Sequence, residues 1–234
     1  MIQVRKSEER GHADHGWLDT HHTFSFAGYY DPKFMGFRSL RVINEDRVAP
    51  GAGFGRHGHE DMEILTYVLD GSIAHRDSMG HVKTLGPNEI QRMSAGTGIL
   101  HSEYNASKTD PLHFFQIWIE PATTGTAPSY EQIRFDPAEK QNRWRRLAGP
   151  EGGDGMARIN QDAQMYVADL AKGAQLTYDL AASRAAWLHV VRGEVTVNGA
   201  TLRTGDAAAI SGEDRLTVAA DGPDWNEVLL FDLA

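Results

Sequence analysis

The chain has 234 residues, 41% of them hydrophobic and 24% charged, which is enough material for one large or two small globular domains. Its net charge of −9 disfavours a dedicated nucleic-acid-binding protein, because such proteins need a basic surface to displace counterions from phosphates. The absence of cysteine excludes disulfides, thiolate catalysis, zinc ribbons and iron–sulfur clusters. No apolar run approaches a membrane helix and the start lacks a signal-peptide core, so we expect a cytoplasmic protein without membrane contact.

The first 120 residues alternate between strand-like runs and turns rich in glycine and proline. SLRVINEDRVAPGAGFG alternates apolar and polar residues before a proline and glycine cluster. In MEILTYVLDGSIAHRD, the pair Asp70 and Gly71 separates two strand-like runs and predicts a β-hairpin. LHFFQIWIEP is a short, very apolar strand that ends at Pro121. This pattern predicts an all-β first half.

The composition changes over residues 121–155, which contain four prolines and five glycines with few sustained apolar patterns. We interpret this stretch as a long connection between two domains that carries a short strand at YEQIRF. Strand patterns resume after it, and the pair Asn198 and Gly199 calls for a type I′ turn between two short strands.

The two halves share a rhythm in which strands, glycines and turns follow each other in the same order. LTYVLDGSIAHRD in the first half is similar to WLHVVRGEVTVNG in the second, which indicates a duplicated β-barrel unit. We therefore expect an N-terminal domain at residues 1–138 and a C-terminal domain at residues 139–234. The second half has a single histidine, His189, for which we expect a structural role, so only the first half carries a candidate site.

The first half contains two pairs of potential metal ligands, each with one residue between its members. These pairs are His57 with His59, and His101 with Glu103. Residues i and i+2 of a strand point to the same side, so three imidazoles and one carboxylate can meet if both strands face the inside of one barrel. Such nitrogen and oxygen ligands suit a borderline divalent metal. An octahedral ion would keep two positions open for water, substrate or dioxygen, and a closed tetrahedral zinc site is the alternative.

Other residues near these pairs have more than one interpretation. The aromatic segment with Phe24, Phe26, Tyr29 and Tyr30 either forms the wall of a pocket for a planar ligand or packs as ordinary core. Close backbone approaches at the mouth of a barrel would explain Gly53, Gly55, Gly58, Gly96 and Gly98. We expect structural roles in the core, in strands or in turns for His21, His22, His75, Met93, Asn105, His113, Phe115 and Trp118.

Two segments resemble known motifs. GAGFGRHGHEDMEILTYVLDG resembles the first cupin motif, G-x5-H-x-H-x3–4-E-x6–7-G, and GTGILHSEYN resembles the second. Together with the upstream segment GHADHGWLDTHHTFSFAGYYDPKFMGF, they make most of residues 1–120 similar to the pirin family, a group of bicupins. The second half is similar to this family only in rhythm. The resemblance implies an all-β fold with two cupin domains, which are jelly-roll β-barrels.

The resemblance also implies a metal site. The metal-binding positions of the family fall on His57, His59, His101 and Glu103, and the implied ion is Fe(II), with Ni, Mn, Co, Cu or Zn as alternatives. Cupins in general take their carboxylate from the first motif, where Glu63 is the nearest glutamate. We prefer Glu103, because it shares a strand face with His101, and we place Glu63 beside the site or at the edge of the core.

The resemblance implies three functions that remain open at this point. Some bacterial pirins act as quercetin 2,3-dioxygenases, which open a flavonol ring with dioxygen and release carbon monoxide; Glu103 would then receive the proton of the 3-hydroxyl group. The eukaryotic protein that names the family resembles an iron-dependent regulator, which would bind a protein partner without turnover. A storage or structural bicupin is the third possibility. We prefer the dioxygenase, with a phenolic flavonol and dioxygen as its substrates and no direct contact with nucleic acid.

Overall fold

The computed structural model describes residues 1–153 and 155–234. Over these two ranges the regular structure consists of β-strands and two short 3-10 helices, Ser7–Glu9 and Pro137–Lys140, which confirms the all-β prediction. None of the helices described there is long and apolar enough to cross a membrane.

The strands are numbered in chain order. The first ten are β1 (Ile2–Arg5), β2 (Gly11–Asp14), β3 (Leu18–His22), β4 (Leu40–Val48), β5 (Gly53–Asp70), β6 (Ile73–Asp77), β7 (Val82–Leu85), β8 (Glu89–Asn105), β9 (Leu112–Ile119) and β10 (Ser129–Arg134). The others are β11 (Arg145–Gly149), β12 (Ala157–Arg158), β13 (Ala163–Ala171), β14 (Gln175–Asp179), β15 (Ala185–Arg192), β16 (Glu194–Val197), β17 (Ala200–Arg203), β18 (Ala207–Ser211), β19 (Arg215–Ala219) and β20 (Trp225–Leu233).

The chain folds into two compact units, each assembled from separate segments of sequence. The N-terminal unit contains Gly11–Phe135 and Glu151–Gln161. The C-terminal unit contains Met1–Arg10, Asp136–Pro150 and Asp162–Ala234. The first ten residues belong to the C-terminal unit because β1 pairs antiparallel with β18. Neither unit is one continuous stretch of sequence. The domain boundary between residues 138 and 139 stays a prediction.

The N-terminal unit is built on one sheet with the strand order β2-β3-β4-β9-β5-β8-β6-β7, and β10 also pairs with β8. The two longest strands, β5 and β8, pair with each other. Two apolar clusters fill the interior. One contains Leu18, Val48, Val68, Ile73, Leu85, Leu112 and Phe114, and the other contains Ile64, Met93, Ala95 and Ile99.

A polar layer lies between these two apolar clusters. In β9, Phe114, Gln116 and Trp118 share one face because they follow at every second position. Phe114 belongs to the first cluster and Trp118 packs against the second, so Gln116 lies between them. Strand β5 repeats this pattern with Thr66 between two apolar residues. The sequences of β5 and β9 therefore place polar side chains between the two apolar clusters of the N-terminal unit.

The predicted hairpin at Asp70 and Gly71 is wrong. Strand β6 pairs with β7 and β8, whereas β5 pairs with β8 and β9, so β8 lies between the two strands that the hairpin would have joined. A two-residue type I′ turn needs positive φ at both residues, but only Gly71 has it, at +81°, and Asp70 ends the extended strand. Glycine is required there for a second reason, because a β-carbon would lie 2.7 Å from the Pro111 carbonyl oxygen.

The stretch 121–155 is only partly a connection. The predicted short strand exists as β10, which pairs with β8 so that Tyr130 lies opposite Met93. The remainder of the stretch contains the 3-10 helix Pro137–Lys140 and strand β11, and both belong to the C-terminal unit. The prediction of one long linker was therefore wrong, because its proline and glycine residues separate several short elements.

The C-terminal unit contains two sheets around one apolar core. One sheet has the order β1-β18-β15-β20-β13-β11, the other has the order β14-β19-β16-β17, and both contribute side chains to a shared cluster. The type I′ turn between β16 and β17 is confirmed, since Asn198 and Gly199 have φ of +43° and +88°. His189 is fully buried in β15 opposite Ala207 and Leu229.

Candidate metal centre

Three imidazoles converge inside the N-terminal unit, as the spacing of the sequence predicted. His57 and His101 lie directly opposite each other on β5 and β8, and His59 follows two positions later on the same face. The ring centroids of these three residues, the histidine cluster, are 4.4 to 4.8 Å apart. Each ring offers one nitrogen, and these nitrogens lie within 4.8 Å of one another. The cluster can therefore contribute three nitrogen ligands to a single ion.

The protonation pattern of the cluster fits a cation. The Nδ1 atom of His57 lies 2.8 Å from the Gly55 carbonyl oxygen, which can only accept a hydrogen bond, so Nδ1 carries the proton and Nε2 keeps its lone pair. This Nε2 atom faces the Nε2 atom of His101 at 3.0 Å. Two ring nitrogens at this distance need a proton or a cation between them. The Nδ1 atom of His101 is buried and has no hydrogen-bond partner among the residues that the structure describes.

The environment lowers the pKa of partly buried His59 and of buried His101, which favours their neutral forms. Burial, with a smaller contribution from the neighbouring His57, lowers the pKa of His59 to about 4. Burial lowers the pKa of His101 to about 2, with further contributions from His57 and His59. Because a metal binds the deprotonated imidazole, these shifts leave the nitrogen lone pairs available for an ion at neutral pH.

Glu103 lies next to His101 but outside the histidine cluster. Its carboxylate belongs to a second group of potential ligands with His75 and His101, whose donor atoms also lie within 4.8 Å of one another. The four predicted ligands are therefore divided between two overlapping groups that share His101. Glu103 is 2% exposed, and Gln116 Nε2 donates to its Oε2 at 2.9 Å while Gln91 Nε2 donates to its Oε1 at 3.5 Å.

The environment of Glu103 leaves this carboxyl close to half-protonated at neutral pH. Burial raises its pKa to about 7, the hydrogen bonds from Gln91 and Gln116 lower it, and the negative charge of Asp46 raises it. A cation bound beside it would favour the charged form. Glu103 can therefore either ligate an ion as a carboxylate or hold a proton.

A chain of hydrogen bonds through the polar layer fixes the orientation of Glu103. Tyr130 donates to Gln91 Oε1 at 3.1 Å, and Gln91 donates to Thr66 Oγ1 at 3.1 Å. Thr66 in turn donates to Gln116 Oε1 at 2.9 Å, and Gln116 donates to Glu103. Sequence reasoning missed these residues. Their signal was a polar residue inside an apolar run, as in EILTYVL and HFFQIWI.

His75, expected to be an isolated strand histidine, lies beside the candidate site. It is 1% exposed on β6 and pairs directly with Glu103 of β8. Its Nε2 atom lies 3.1 Å from Asp77 Oδ2, and its ring stacks on Tyr130 with centroids 4.9 Å apart. Burial lowers the pKa of His75, while Asp77 raises it. The placement depends on the register between β6 and β8, which the sequence pattern alone does not give.

Glu63 lies away from the histidine cluster. The register of β5 shifts between His59 and Asp61, and Asp61 has a φ of +62°. This bulge inverts the alternation of faces, so that Glu63 no longer shares a side with His59. Its carboxylate accepts hydrogen bonds from Ser94 Oγ at 2.7 Å and from Asn160 Nδ2 at 2.9 Å.

The histidine cluster opens into a cavity of about 410 Å³, a volume in the usual range of small-molecule sites. Two aromatic pairs lie along its wall, and each packs edge to face with ring centroids 5.3 Å apart. The lining residues are His57, His59, Glu103, Asn44, Asp46, Gln116, Trp17, Phe26, Phe54 and Trp118, together with Gly53 and Gly55. A planar aromatic molecule could therefore lie between apolar walls with one edge at the histidine cluster.

Asp46 is a second buried carboxyl group in this cavity. It lies on the inner face of β4, opposite Thr20 of β3. Its pKa is raised to about 7, mainly by burial and also by the negative charges of Glu45 and Asp19, while a hydrogen bond from the Thr20 side chain opposes this shift.

Several other predicted residues have roles outside the cluster. Asn105 donates from Nδ2 to the carbonyl oxygens of Val48, Ala49 and Asp110, which is the turn role expected for it. Phe24, Met93 and Phe115 are buried in the core, Phe26 and Trp118 line the cavity, and Tyr30 is exposed. His22 stacks on Tyr29 and contacts Asn44, and His113 contacts Glu45.

A separate group of potential ligands lies on β2 and β3. His12 and His21 lie directly opposite each other with stacked rings, and His12 Nε2 lies 3.0 Å from Asp19 Oδ1. Their donor atoms also fall within 4.8 Å of one another, but His12 is exposed. The group lines no part of the cavity, so we treat it as a surface feature.

Comparisons with known proteins agree with the fold. Residues 3–119 match the family model described as Pirin, and residues 146–233 match the model of the quercetinase C-terminal cupin domain. The second half, in which the sequence analysis found only a shared rhythm, is therefore also a cupin-type domain, and the prediction of two cupin domains is confirmed.

Relatives and solved structures cover the whole chain. It is 52% identical to the quercetin 2,3-dioxygenase of Escherichia coli K12 over 100% of this chain and 99% of that protein. It is 42% identical to a pirin-like protein of Caulobacter vibrioides over 94% of this chain and 95% of that protein. The crystal structure of the Escherichia coli bacterial pirin YhhW in complex with nickel(II) is 51% identical, with a TM-score of 0.94 over 100% of this chain and 99% of that one. The chain therefore belongs to the pirin family.

Proposed function

We propose that this protein is a metal-dependent dioxygenase of the quercetin 2,3-dioxygenase type, which opens a flavonol ring with dioxygen and releases carbon monoxide. The observation that carries the proposal is the histidine cluster with a buried carboxyl group beside it, at the edge of a cavity with aromatic walls. The names of several relatives, including the Escherichia coli quercetin 2,3-dioxygenase at 52% identity, favour the same reaction.

His57, His59, His101 and Glu103 would hold one divalent metal ion. The donor set contains nitrogen and oxygen without sulfur, which suits Fe(II), Ni, Mn, Co, Cu or Zn, and we prefer Fe(II). The nickel(II) complex of the related YhhW is in keeping with a divalent ion here. When bound, the ion would make the 3-hydroxyl group of a flavonol more acidic and provide a position for dioxygen.

The residues of the chain would position the substrate and move its proton. Glu103 Oε1, whose hydrogen bond from Gln91 is long at 3.5 Å, would accept the proton of the 3-hydroxyl group. Gln116, at 2.9 Å from Oε2, would hold the carboxyl group in place during this transfer. The aromatic pairs of the cavity would stack on the flavonol rings and keep competing water out.

The test is a single-turnover experiment on protein loaded with each candidate metal in turn. A flavonol is bound without oxygen, dioxygen is added, and flavonol, dioxygen and carbon monoxide are measured. We expect all three to change in equal amounts, and we expect a His59→Ala variant to give no carbon monoxide. No turnover with any of the metals would contradict the proposal. If the affinity for a protein partner then depended on the oxidation state of bound iron, an iron-dependent regulatory function would replace the dioxygenase as the proposed function.

A further inference from the structure

A second cavity borders strands β5, β6 and β8, and the proposed reaction does not use it. This outer cavity has a volume of about 440 Å³. Its wall includes Arg56 of β5, Arg76 of β6 and Ser102 of β8, together with Ser78. Most of the residues that line it are charged or polar, in contrast to the cavity with aromatic walls.

The register of three neighbouring strands places two arginines on either side of one serine. β8 lies between β5 and β6 in the sheet, and Arg76 of β6 pairs directly with Ser102. On the other side of β8, a register shift in β5 just before His57 leaves Gly55 and Arg56 opposite Ser102. The sheet therefore presents Arg56, Ser102 and Arg76 side by side, and we call these three residues the arginine row.

Both arginines of the row are exposed and lack a partner. Within residues 1–153 and 155–234, neither of them forms an ion pair or a hydrogen bond. Other exposed arginines do form ion pairs, as Arg203 does with Glu194 and Arg215 does with Asp179. Unpaired arginines are unexpected in a chain with 32 acidic residues and only 23 lysines and arginines. Two positive charges of the arginine row are therefore available to a ligand.

Asp77, the only acidic residue among the described residues that line the outer cavity, does not neutralise these charges. Its side chain is fully buried. Its Oδ1 atom accepts hydrogen bonds from the backbone N–H groups of Met79 and His81 at 2.9 and 3.0 Å. Its Oδ2 atom lies 3.1 Å from His75 Nε2. The carboxylate of Asp77 therefore has its own partners inside the N-terminal unit.

The outer cavity is rich in hydrogen-bond donors. Each guanidinium group has five N–H donors and no acceptor. Ser78 Oγ already accepts a hydrogen bond from the backbone N–H of Leu100 at 3.1 Å, so its own proton is available to a ligand. The hydroxyl group of Ser102 can also donate. A negatively charged ligand whose atoms only accept hydrogen bonds matches this set of groups.

A phosphate group matches it better than a carboxylate does. A phosphate monoester has three acceptor oxygens and a charge close to −2 at neutral pH, so it can bind two guanidinium groups at once. A carboxylate has a single charge and two oxygens, and one arginine can occupy both oxygens.

We propose that the arginine row binds the phosphate group of a small molecule in the outer cavity. Arg56 and Arg76 would bind the phosphate from its two sides, and the Ser102 hydroxyl group would donate to it from β8. Free phosphate and phosphate monoesters share this chemistry. Leu100, which is 43% exposed and lines the same cavity, would contact the organic part of a monoester. The inference does not depend on the proposed dioxygenase reaction.

Titration calorimetry on the nickel-loaded protein at low ionic strength tests this site with inorganic phosphate, phenyl phosphate and acetate. We expect phosphate to bind with a dissociation constant of about 1 mM or lower, because each hydrogen bond to a charged group contributes about tenfold or more in affinity. Acetate should bind at least about tenfold more weakly. Tighter binding of phenyl phosphate than of inorganic phosphate would support a site for monoesters, and the reverse order would support a site for free phosphate.

Arg76→Ala should lower the affinity for both phosphates at least about tenfold. Arg76→Lys keeps the positive charge but loses the paired N–H donors, so it should give an intermediate affinity. Lys83→Ala is the matched control, because Lys83 is an exposed cation on the adjacent strand β7 that does not line the outer cavity. This variant should bind phosphate as the wild-type protein does.

His101, a proposed metal ligand, also borders the outer cavity, so binding to the metal is tested separately. His59→Ala removes another proposed metal ligand and should leave the phosphate affinity unchanged. A loss in His59→Ala with wild-type affinity in Arg76→Ala would assign the phosphate to the metal and overturn the inference. Equal losses in Arg76→Ala and Lys83→Ala, equal affinities for acetate and phosphate, or no phosphate binding up to about 10 mM would also overturn it.

Discussion

His57 and His101 face each other across β5 and β8 with their Nε2 atoms 3.0 Å apart, while the Gly55 carbonyl oxygen holds the proton of His57 on the opposite side of its ring. The register of these two strands is therefore sufficient to direct two nitrogen lone pairs at one point. A third, from His59, completes the arrangement.

If these nitrogens bind an ion, His101→Ala should lower the affinity for divalent metals at least about 100-fold, because loss of the outer partners of a ligand alone lowers affinity 10- to 100-fold. Competition with a chelator of known affinity measures this. His12→Ala is the matched control, since it removes a histidine from the exposed group on β2 and β3 and should leave the tight site intact. Equal losses in the two variants would contradict the assignment.

Metal binding should release a proton from Glu103, in an amount that depends on pH. With a pKa of about 7 in the metal-free protein, this carboxyl is mostly protonated at pH 6 and mostly charged at pH 8. A bound cation favours the charged form. Titration calorimetry in buffers of different ionisation enthalpy should therefore find about 0.8 more protons released at pH 6 than at pH 8. Glu103→Gln should abolish this difference, and a difference that persists would assign the proton to another group.

Gln116→Leu should weaken metal binding about tenfold by removing the hydrogen bond that orients Glu103. The loss of this donor should also raise the pKa of Glu103. Because Glu103 must be deprotonated to accept the substrate proton, the pH at which the dioxygenase activity reaches half of its maximum should move upwards. A double variant with Glu103→Gln should show no further loss beyond that of Glu103→Gln alone. Additive losses would mean that Gln116 acts independently of the carboxyl group.

Asn105→Ala should destabilise the metal-free protein by about 2 kcal/mol, because it leaves buried carbonyl oxygens without donors. Its Oδ1 atom also accepts from the backbone of Ser107 at 2.9 Å. Urea unfolding measures the change in the free energy of unfolding. Asn105→Asp keeps the acceptor for Ser107 but loses the donors, and should be similarly unstable. Wild-type stability in both variants would show that the turn does not depend on this side chain.

The strand faces of the members of the histidine cluster could be predicted from the sequence because they depend on local spacing, whereas the pairing of His101 with His57 depends on the register of β5 and β8. A one-residue gap on a strand places His57 and His59 on one face whatever the rest of the fold does. Features that depend on register could not be predicted. The pairing of β6 with β8 brings His75 next to Glu103, and nothing in the local pattern of either strand specifies this.

The errors have the same origin. The pair Asp70 and Gly71 has the composition of a hairpin turn, but β8 occupies the position beside β5 that a hairpin would give to β6. The position of Glu63 outside the ligand set was expected, but the bulge at Asp61 that turns it away from His59 is a backbone feature without a distinct sequence signal here. The side chains that can bind a metal could therefore be predicted from the sequence, whereas the order of the strands in the sheet could not.

Metal-edge anomalous diffraction from crystals of the metal-loaded protein tests the central claim most directly, because it locates the ion and its ligands together. We expect one strong peak in the N-terminal unit, at bonding distance from His57, His59, His101 and a carboxylate oxygen of Glu103. A peak that is absent from this position, or one that is bound by His75 in place of Glu103, would contradict the account.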